Sequence, residues 1–205
     1  MMEVAQAHPG NPFLEFRGNP GTHDLKLLDG KCRLLNFLDV LKDLVFGKRT
    51  SIPQYDKSAF YGRGDRLSTS RVIDFKPKVV ILEGWCIGFQ HTNDYIDDCH
   101  LRVINQNLKC YEFINQYFHA FVHLVAQDIN FVYSWRFEQE DTLRKKKDDD
   151  GAGLSKNDLK DFIDRFIPVY SIGVPKLRQG LFLTPKRQLE IVLNHDRLIA
   201  SHNLI

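Results

Sequence analysis

The stretch Val79-Val80-Ile81-Leu82-Glu83-Gly84-Trp85 decides the expected fold. Its first four residues are a continuous, mostly β-branched apolar run, with Pro77 before it and Gly84 after it. Such a run is typical of a strand that is buried on both faces of a parallel sheet. The strand would end at Glu83, at the sheet edge where α/β proteins bind ligands. A strand that simply ends at a solvated glutamate and a turn glycine fits the same residues, and spacing does not decide between the two.

Predicted helices and strands alternate on both sides of this run. Upstream, residues 24–46 are predicted to be a helix, because Leu34, Leu38, Leu41 and Val45 share one face and Gly47 suits its C-terminus. Residues 50–76 contain Pro53, Gly62, Gly64 and many polar side chains, which predicts a long loop. Downstream we predict a helix at about 95–118, a strand at 120–126, a helix at 129–147, an exposed linker at 148–153, a helix capped by Ser155 and Asp158, and a strand through Leu189, Ile191 and Leu193.

This order predicts an α/β fold. Strands that alternate with helices form βαβ units and a mostly parallel sheet. The runs at 79–83 and 121–126 are separated by a helical crossover, so we expect them to lie side by side and parallel.

Composition excludes several classes of protein. The chain has 205 residues, a net charge of +2 and an isoelectric point of about 8.3, without the higher pI of most nucleic-acid binders. No apolar run approaches the length of a transmembrane helix. The four cysteines show no C-x-x-C spacing, which favours reduced thiols over a zinc site. No secretory signal or transit peptide is visible, so a cytoplasmic location is expected if the chain is complete as given.

Two polar segments are candidates for binding an anion. The stretch Arg17-Gly18-Asn19-Pro20-Gly21-Thr22-His23-Asp24 precedes the first predicted helix, and a helix N-terminus attracts anions. A plain capped turn also explains this stretch, and residue chemistry alone slightly favours that interpretation. In the predicted loop, residues 53–58 and 62–66 supply Asp56, Lys57 and two arginines, which suit a carboxylate and hydroxyl groups.

The helix at 129–147 carries arginines that could reach a phosphate. Arg136 and Arg144 could contact a transferring phosphate, as the lid arginines of phosphotransferases do. For Arg144 the favoured interpretation is an ion pair on an exposed helix face, such as Glu140–Arg144. His119 and His123 lie in a strand context that does not favour a metal site. Neither G-x-x-x-x-G-K-[ST] nor G-x-G-x-x-G occurs in the 205 residues, so they contain no recognisable phosphate-binding loop.

Several blocks in order along the chain resemble the plant-type D-glycerate 3-kinase family, P-loop kinases related in fold to uridine kinase, phosphoribulokinase and pantothenate kinase. The blocks are Pro9-Gly10-Asn11, Leu14 to Asp24, Tyr55-Asp56-Lys57-Ser58, Gly62 to Arg66, Leu82 to Phe89, Val132 to Glu140 and Phe162 to Tyr170. Each block alone indicates the family only weakly. Their occurrence in the order of the family, along nearly the whole chain, indicates it specifically.

The resemblance implies an activity and roles for residues. Members of the family phosphorylate D-glycerate at its 3-hydroxyl with ATP and magnesium, and in plants this returns photorespiratory carbon to 3-phosphoglycerate. The resemblance therefore implies a chloroplast location. Glu83 then resembles the acid that holds magnesium through water, and Arg136 resembles the lid arginine that stabilises the transferring phosphoryl group. The residues that resemble the acceptor side are Arg17, His23, Asp24, Tyr55, Asp56, Lys57 and Arg66.

The resemblance also predicts how the chain is organised. We expect one kinase-like domain over 1–205, with an acceptor-binding loop at about 50–76, a lid at about 132–157 and a P-loop-kinase-like parallel sheet flanked by helices. Family members begin with a strand and a Walker-A loop, so we expect the sheet to be incomplete at the N-terminus and the chain to be inactive by itself. The alternatives are a truncated, non-catalytic protein that binds a metabolite or a protein, and a related P-loop kinase whose acceptor is a nucleoside or a sugar phosphate. Oligomeric state stays open.

Overall fold

The computed structural model describes residues 8–23, 37–56, 59, 65–148 and 153–205. The chain divides into two compact units, Met1–Ile87 and Gly88–Ile205, which are described separately. The first turns of the helix predicted at 24–46 and the candidate residues Asp24 and Lys57 lie outside the described residues. One kinase-like domain over 1–205 stays a prediction.

Helix α1 of the first unit runs over Phe37–Phe46 and ends as predicted at Gly47. Gly47 has φ +69°, its N–H donates to the carbonyl of Leu44 at 3.3 Å, and the N–H of the next residue donates to Asp43 at 2.8 Å. This pair of bonds is a Schellman motif, which favours glycine at the left-handed position. The helix buries Val40 and Leu44, whereas Val45, on the predicted apolar face, is 48% exposed. The predicted face is therefore wrong at Val45, whereas Leu41 is half-buried.

Two antiparallel strands replace the loop that was predicted at 50–76. Strand β1 (Thr50–Asp56) pairs with β2 (Asp65–Ile73), from Thr50 opposite Ile73 to Asp56 opposite Asp65. Only the Ile73 end is buried; there Ile73 and Ile52 pack against Val40 and Leu44 of α1. The rest of β2 is exposed and mostly polar. The hairpin therefore lacks the alternation of apolar and polar residues from which a strand can be predicted.

The run at 79–83 is not a strand. It belongs to no helix or ladder, and Val79 and Ile81 are 74% and 85% exposed. The expected parallel pairing with 121–126 was therefore wrong. An apolar run becomes a buried strand only when neighbouring strands take up its N–H and C=O groups, and the described residues provide no such neighbour.

The second unit confirms the α/β class. Its elements are α2 (Cys99–Leu108), a 3₁₀ helix (Glu112–Tyr117), β3 (Phe121–Ala126), α3 (Phe131–Lys147), α4 (Lys156–Asp164), α5 (Ile167–Leu177), β4 (Gln188–Leu193) and β5 (Ile199–Leu204). The sheet order is β3-β4-β5, with β3 and β4 parallel and β5 antiparallel to β4. The strands predicted near 121–126 and 189–193 are confirmed. Strand β5 was missed because all its residues are exposed.

Capping residues set the helix boundaries in this unit. Asp98 accepts hydrogen bonds from the N–H groups of His100 and Leu101, so α2 begins at Cys99 rather than near 95. Ser155 accepts from the N–H of Asp158 at 3.2 Å, which confirms the predicted cap of α4. Side chains that are almost fully buried form the packed interior; they are Ile104, Leu108, Leu159 and Val169.

Gly173, inside α5, is expected to tolerate no larger side chain. A Cβ built there would lie 2.2 Å from Cδ2 of Phe89, whose ring is buried and packs edge-on against Tyr170. Alanine favours a helix interior over glycine by about 1 kcal/mol, but overpacking costs about 1–3 kcal/mol. We therefore expect Gly173→Ala to lower the free energy of unfolding, measured by urea denaturation. In a Phe89→Ala background the same change should become neutral or stabilising, whereas stabilisation with Phe89 present would contradict the packing argument.

Candidate functional site

Local hydrogen bonds shape the segment from Arg17 to His23. The hydroxyl of Thr22 accepts from the N–H of Gly18 at 2.8 Å and donates to the carbonyl of Asn19 at 2.7 Å. The Asn19 amide in turn donates to the carbonyl of Phe13 at 2.9 Å. Gly18 has φ +142° and Gly21 has φ +100°, backbone conformations that favour glycine. The two glycines and the threonine thus build a closed turn. This agrees with the plain turn that was one interpretation of the sequence, and it does not exclude the binding of an anion.

Arg17 projects from this turn over an aromatic ring. Its guanidinium carbon lies 3.8 Å from the ring centroid of Tyr55, within the range of a cation–π contact. Arg66 is the cross-strand partner of Tyr55, and directly opposed residues of an antiparallel pair point to the same face. Two exposed arginines from separate segments therefore accompany one tyrosine. Planar guanidinium groups are the preferred protein partners of a carboxylate.

His23 closes the same turn as a neutral imidazole. Burial, and to a lesser extent the positive charge of Arg17, together lower the pKa of His23 to about 4. A neutral imidazole can donate one hydrogen bond and accept another, which suits a hydroxyl group rather than an anion. The turn therefore offers a permanent cation beside an uncharged polar group.

Trp85 connects this turn to the segment that carries Glu83. The indole Nε1 of Trp85 donates to the carbonyl oxygen of Gly18 at 2.6 Å. Glu83, two residues earlier, is exposed. This hydrogen bond places the Arg17 turn next to the segment that contains Glu83. The resemblance also predicts that Glu83 converges with Arg17, Asp24, Lys57 and Arg66 on one cleft at the edge of a strand ending at Glu83. Residues 79–83 form no strand, so that location was wrong, and the convergence itself stays a prediction.

Arg136 belongs to the second unit, on α3. It donates to the amide oxygen of Gln139, its Nη2 lies 3.4 Å from Oε1 of Glu140, and its guanidinium lies 6.0 Å from the ring of Phe162. Its side chain is 35% exposed, so the guanidinium reaches solvent. A role in phosphate binding stays a prediction.

Arg144 is paired, as predicted, but with another partner. Its Nη1 lies 3.0 Å from Asp141, and its Nη2 donates to the carbonyl of Leu154 at 2.5 Å. Glu140, the partner expected for Arg144, instead accepts from the N–H of Leu154 at 3.2 Å. These bonds hold the start of the α4 segment against α3, because two side chains of one helix bind the same short stretch of backbone.

Metal ligands do not cluster in the described part of the chain. No group of three or more histidine, cysteine or acidic side chains is placed to hold an ion there. His123 is buried and its Nδ1 lies 3.5 Å from Glu190, and burial is the main cause that lowers its pKa. His123 thus packs inside strand β3 beside Glu190, whereas the side chain of His119 is exposed. Among the described residues no helix has the length and apolarity to span a bilayer.

Trp85 is the residue at this site that motif reasoning passed over. An indole N–H that leaves water needs an acceptor, and a glycine-rich turn exposes carbonyl groups that can supply one. That chemistry is visible in the sequence, but the pairing joins residues 67 positions apart, and no local pattern links them.

Comparison with known proteins decides the family. Over 182 residues the chain is 36% identical to the chloroplastic D-glycerate 3-kinase of Arabidopsis thaliana, covering 85% of this chain. It is 34% identical to the uncharacterized kinase mug58 of Schizosaccharomyces pombe, covering 96% of this chain and 72% of that protein. A solved D-glycerate 3-kinase from Cryptococcus neoformans matches all of this chain and 74% of its own, with 29% identity and a TM-score of 0.85. The chain belongs to the D-glycerate 3-kinase family.

Coverage differs among members of the D-glycerate 3-kinase family. The chain spans only 38% of the length of the Arabidopsis protein. It is also 30% identical to the probable ATP-dependent kinase TDA10 of Saccharomyces cerevisiae, over 98% of this chain and 70% of that protein. No family model matches the chain. These relatives are kinases, so the P-loop kinase type of fold and the transferase class expected from the sequence are confirmed.

Proposed function

We propose that this protein acts in the ATP-dependent phosphorylation of D-glycerate, and that its first unit binds the acceptor. The observation that carries the proposal is the guanidinium of Arg17 stacked on Tyr55, with Arg66 paired across the hairpin. Two relatives bear the name of an enzyme whose substrate is a small carboxylate with hydroxyl groups. A carboxylate needs cations, and hydroxyl groups need neutral donors and acceptors, which the arginines and the neutral His23 supply.

The acceptor would be held at both of its ends. Arg17 and Arg66 bind the carboxylate, and the ring of Tyr55 keeps the Arg17 fork in one orientation. His23 hydrogen-bonds a hydroxyl without adding a charge. Lys57 adds a further cation, while Asp24 and Asp56 accept hydrogen bonds from hydroxyl groups; these three roles rest on the resemblance.

The phosphate side of the reaction involves ATP and magnesium. A single exposed carboxylate such as Glu83 suits a Mg²⁺ ion that keeps its waters and takes further ligands from phosphates. Glu83 would hold that ion through water, and when bound the ion neutralises the phosphate charge. Arg136 would add positive charge toward the transferring phosphoryl group.

The expected location and pathway follow this proposal. The Arabidopsis relative is named as chloroplastic, and a chloroplast location with a role in photorespiration is proposed for this protein on that relative alone. The proposal requires D-glycerate as the acceptor, with ATP and magnesium on the phosphate side, and neither a nucleic acid nor a membrane.

Replacement of Arg17 tests the acceptor site. Arg17→Met is expected to weaken D-glycerate binding at least about tenfold, since a hydrogen bond to a charged group contributes about 1.5–3 kcal/mol. Isothermal titration calorimetry with the 205-residue chain measures the affinity. Glycerol, which lacks the carboxylate, should bind the two proteins equally.

Arg71→Met is the matched control for this experiment. Arg71 is exposed on the same hairpin, where it lies opposite Ile52 rather than Tyr55. Its replacement should leave the affinity for D-glycerate unchanged. Equal affinities of the wild-type chain and Arg17→Met for D-glycerate would refute the acceptor site. Tighter binding of a nucleoside or a sugar phosphate would assign the kinase another acceptor.

A further inference from the structure

The peptide groups on both sides of Gly18 are held by side chains. On one side, the N–H of Gly18 donates to the hydroxyl of Thr22 at 2.8 Å. On the other, the carbonyl of Gly18 accepts from the indole of Trp85 at 2.6 Å. The first bond lies within the turn, whereas the second comes from a segment 67 residues away. Trp85 therefore anchors the turn to a different part of the same unit.

We propose that Trp85 is a positioning residue for the acceptor, whose indole N–H holds the Gly18 peptide so that the Arg17 guanidinium lies where the carboxylate binds. This inference rests on the proposed function for the part that concerns D-glycerate. Trp85 does not contact the acceptor in this proposal; it acts through the backbone of the residue next to Arg17.

The backbone at Gly18 explains why an anchor is needed. Gly18 has φ +142°, and glycine reaches many other angles as readily, so only bonds to its N–H and carbonyl keep it at this one; Trp85 supplies the carbonyl bond. Arg17 is exposed, and a long exposed side chain loses rotamer freedom when it is fixed. The backbone of Gly18, which Thr22 and Trp85 hold, fixes the main-chain end of Arg17. The ring of Tyr55 fixes its guanidinium end. Preorganisation of this kind increases affinity by reducing the entropy lost on binding.

The anchor also joins two functional segments. Trp85 follows Glu83 by two residues, so the hydrogen bond to Gly18 ties the acceptor-side cation to the acid that is proposed to hold magnesium. Phosphoryl transfer depends on positioning, and small displacements of the acceptor lower the rate strongly. A single indole N–H thus couples the two sides of the proposed reaction.

Trp85→Phe tests the inference through two independent measurements. The first is NMR titration of His23, whose pKa is lowered to about 4 by burial and by Arg17 within the same turn. When the Gly18 peptide is released, the turn opens and the pKa of His23 should rise toward its ordinary value. The second is calorimetric affinity for D-glycerate, which should weaken about tenfold, the equivalent of one lost hydrogen bond.

A second variant and a matched control separate the hydrogen bond from general destabilisation. Placing 3-benzothienylalanine at position 85 keeps the size of the ring and removes only the N–H donor, so it should reproduce both effects of Trp85→Phe. Trp135→Phe removes an indole that makes the same kind of bond in the second unit, from its Nε1 to the carbonyl of His195 at 2.6 Å. Trp135→Phe should change neither the pKa of His23 nor the affinity for D-glycerate.

The outcomes distinguish the inference from the proposed function. An unchanged pKa of His23 in the benzothienylalanine variant overturns the positioning role, and so does an unchanged affinity in a wild-type chain that binds D-glycerate. If the wild-type chain does not bind D-glycerate while the pKa of His23 still rises in the variant, the proposed function fails and the anchoring of the turn by Trp85 stands.

Discussion

Mixed with ATP, magnesium and D-glycerate, the 205-residue chain by itself is expected to form 3-phosphoglycerate far more slowly than ~1 s⁻¹, the low end for kinases. Catalysis of phosphoryl transfer rests on positioning and charge stabilisation, much of which a phosphate-binding loop supplies through its backbone N–H groups and its lysine. No such motif occurs within the 205 residues. Loss of one preorganised donor alone costs about a hundredfold to a thousandfold in rate. Glu83 and Arg136 do not replace the loop, because they cannot fix the triphosphate.

A coupled assay for 3-phosphoglycerate measures this rate, with the Arabidopsis D-glycerate 3-kinase as positive control. The same preparation should bind D-glycerate in the calorimeter, which shows that the chain is folded and separates acceptor binding from catalysis. Turnover near ~1 s⁻¹ would mean that another segment of the chain holds the triphosphate. In that event Arg136→Met and Glu83→Gln would show which of the two proposed phosphate-side residues takes part.

Acidification is expected to destabilise the fold through His23. Its pKa is about 4 in the folded chain, against 6.5 for an ordinary histidine, because burial and Arg17 disfavour the charged imidazole. Above pH 6.5 the imidazole is neutral in both the folded and the unfolded chain, so His23 does not reduce the free energy of unfolding. As the pH falls from 6.5 toward 4, the unfolded chain takes up the proton first, so the free energy of unfolding decreases. The difference between the folded and the unfolded pKa of His23 corresponds to a loss of about 3 kcal/mol in the free energy of unfolding at low pH.

His23→Gln isolates this contribution, because glutamine stays uncharged at every pH. Urea denaturation of both proteins between pH 7 and pH 4 should show the wild type losing about 3 kcal/mol more than the variant. Burial is the larger cause of the shift, so Arg17→Met should restore only part of the difference. Parallel pH profiles of wild type and His23→Gln would contradict the buried, neutral state of His23.

The second unit was largely predictable because its elements carry local signals. The strand at 121–126 is a short apolar run, α4 begins at a Ser155–Asp158 cap, and Ile104 and Leu108 recur at helical spacing. Each of these features depends on residues close in sequence. The first unit was harder to predict, since its hairpin is exposed and polar, and the face that α1 buries depends on where Ile52 and Ile73 lie.

The candidate site shows the same division. The resemblance to the family, carried by blocks in order along the chain, is what predicted Arg17, His23, Tyr55 and Arg66 as acceptor-side residues, and this role stays a prediction. Their arrangement was not predictable: the stacking of Arg17 on Tyr55 and the pairing of Tyr55 with Arg66 depend on the register of the hairpin. The bond from Trp85 to Gly18 depends on a contact over 67 residues.

By itself the sequence determined the family, the α/β class and most elements of the second unit. These follow from residue chemistry and from periodicity within a few turns of chain. Only the tertiary structure decided that residues 79–82 form no strand, that Val40 rather than Val45 is buried, and that Trp85 anchors the Arg17 turn. The physical reason is that a strand, a buried face and an indole hydrogen bond each need a partner, and the position of a partner distant in sequence is a property of the folded chain.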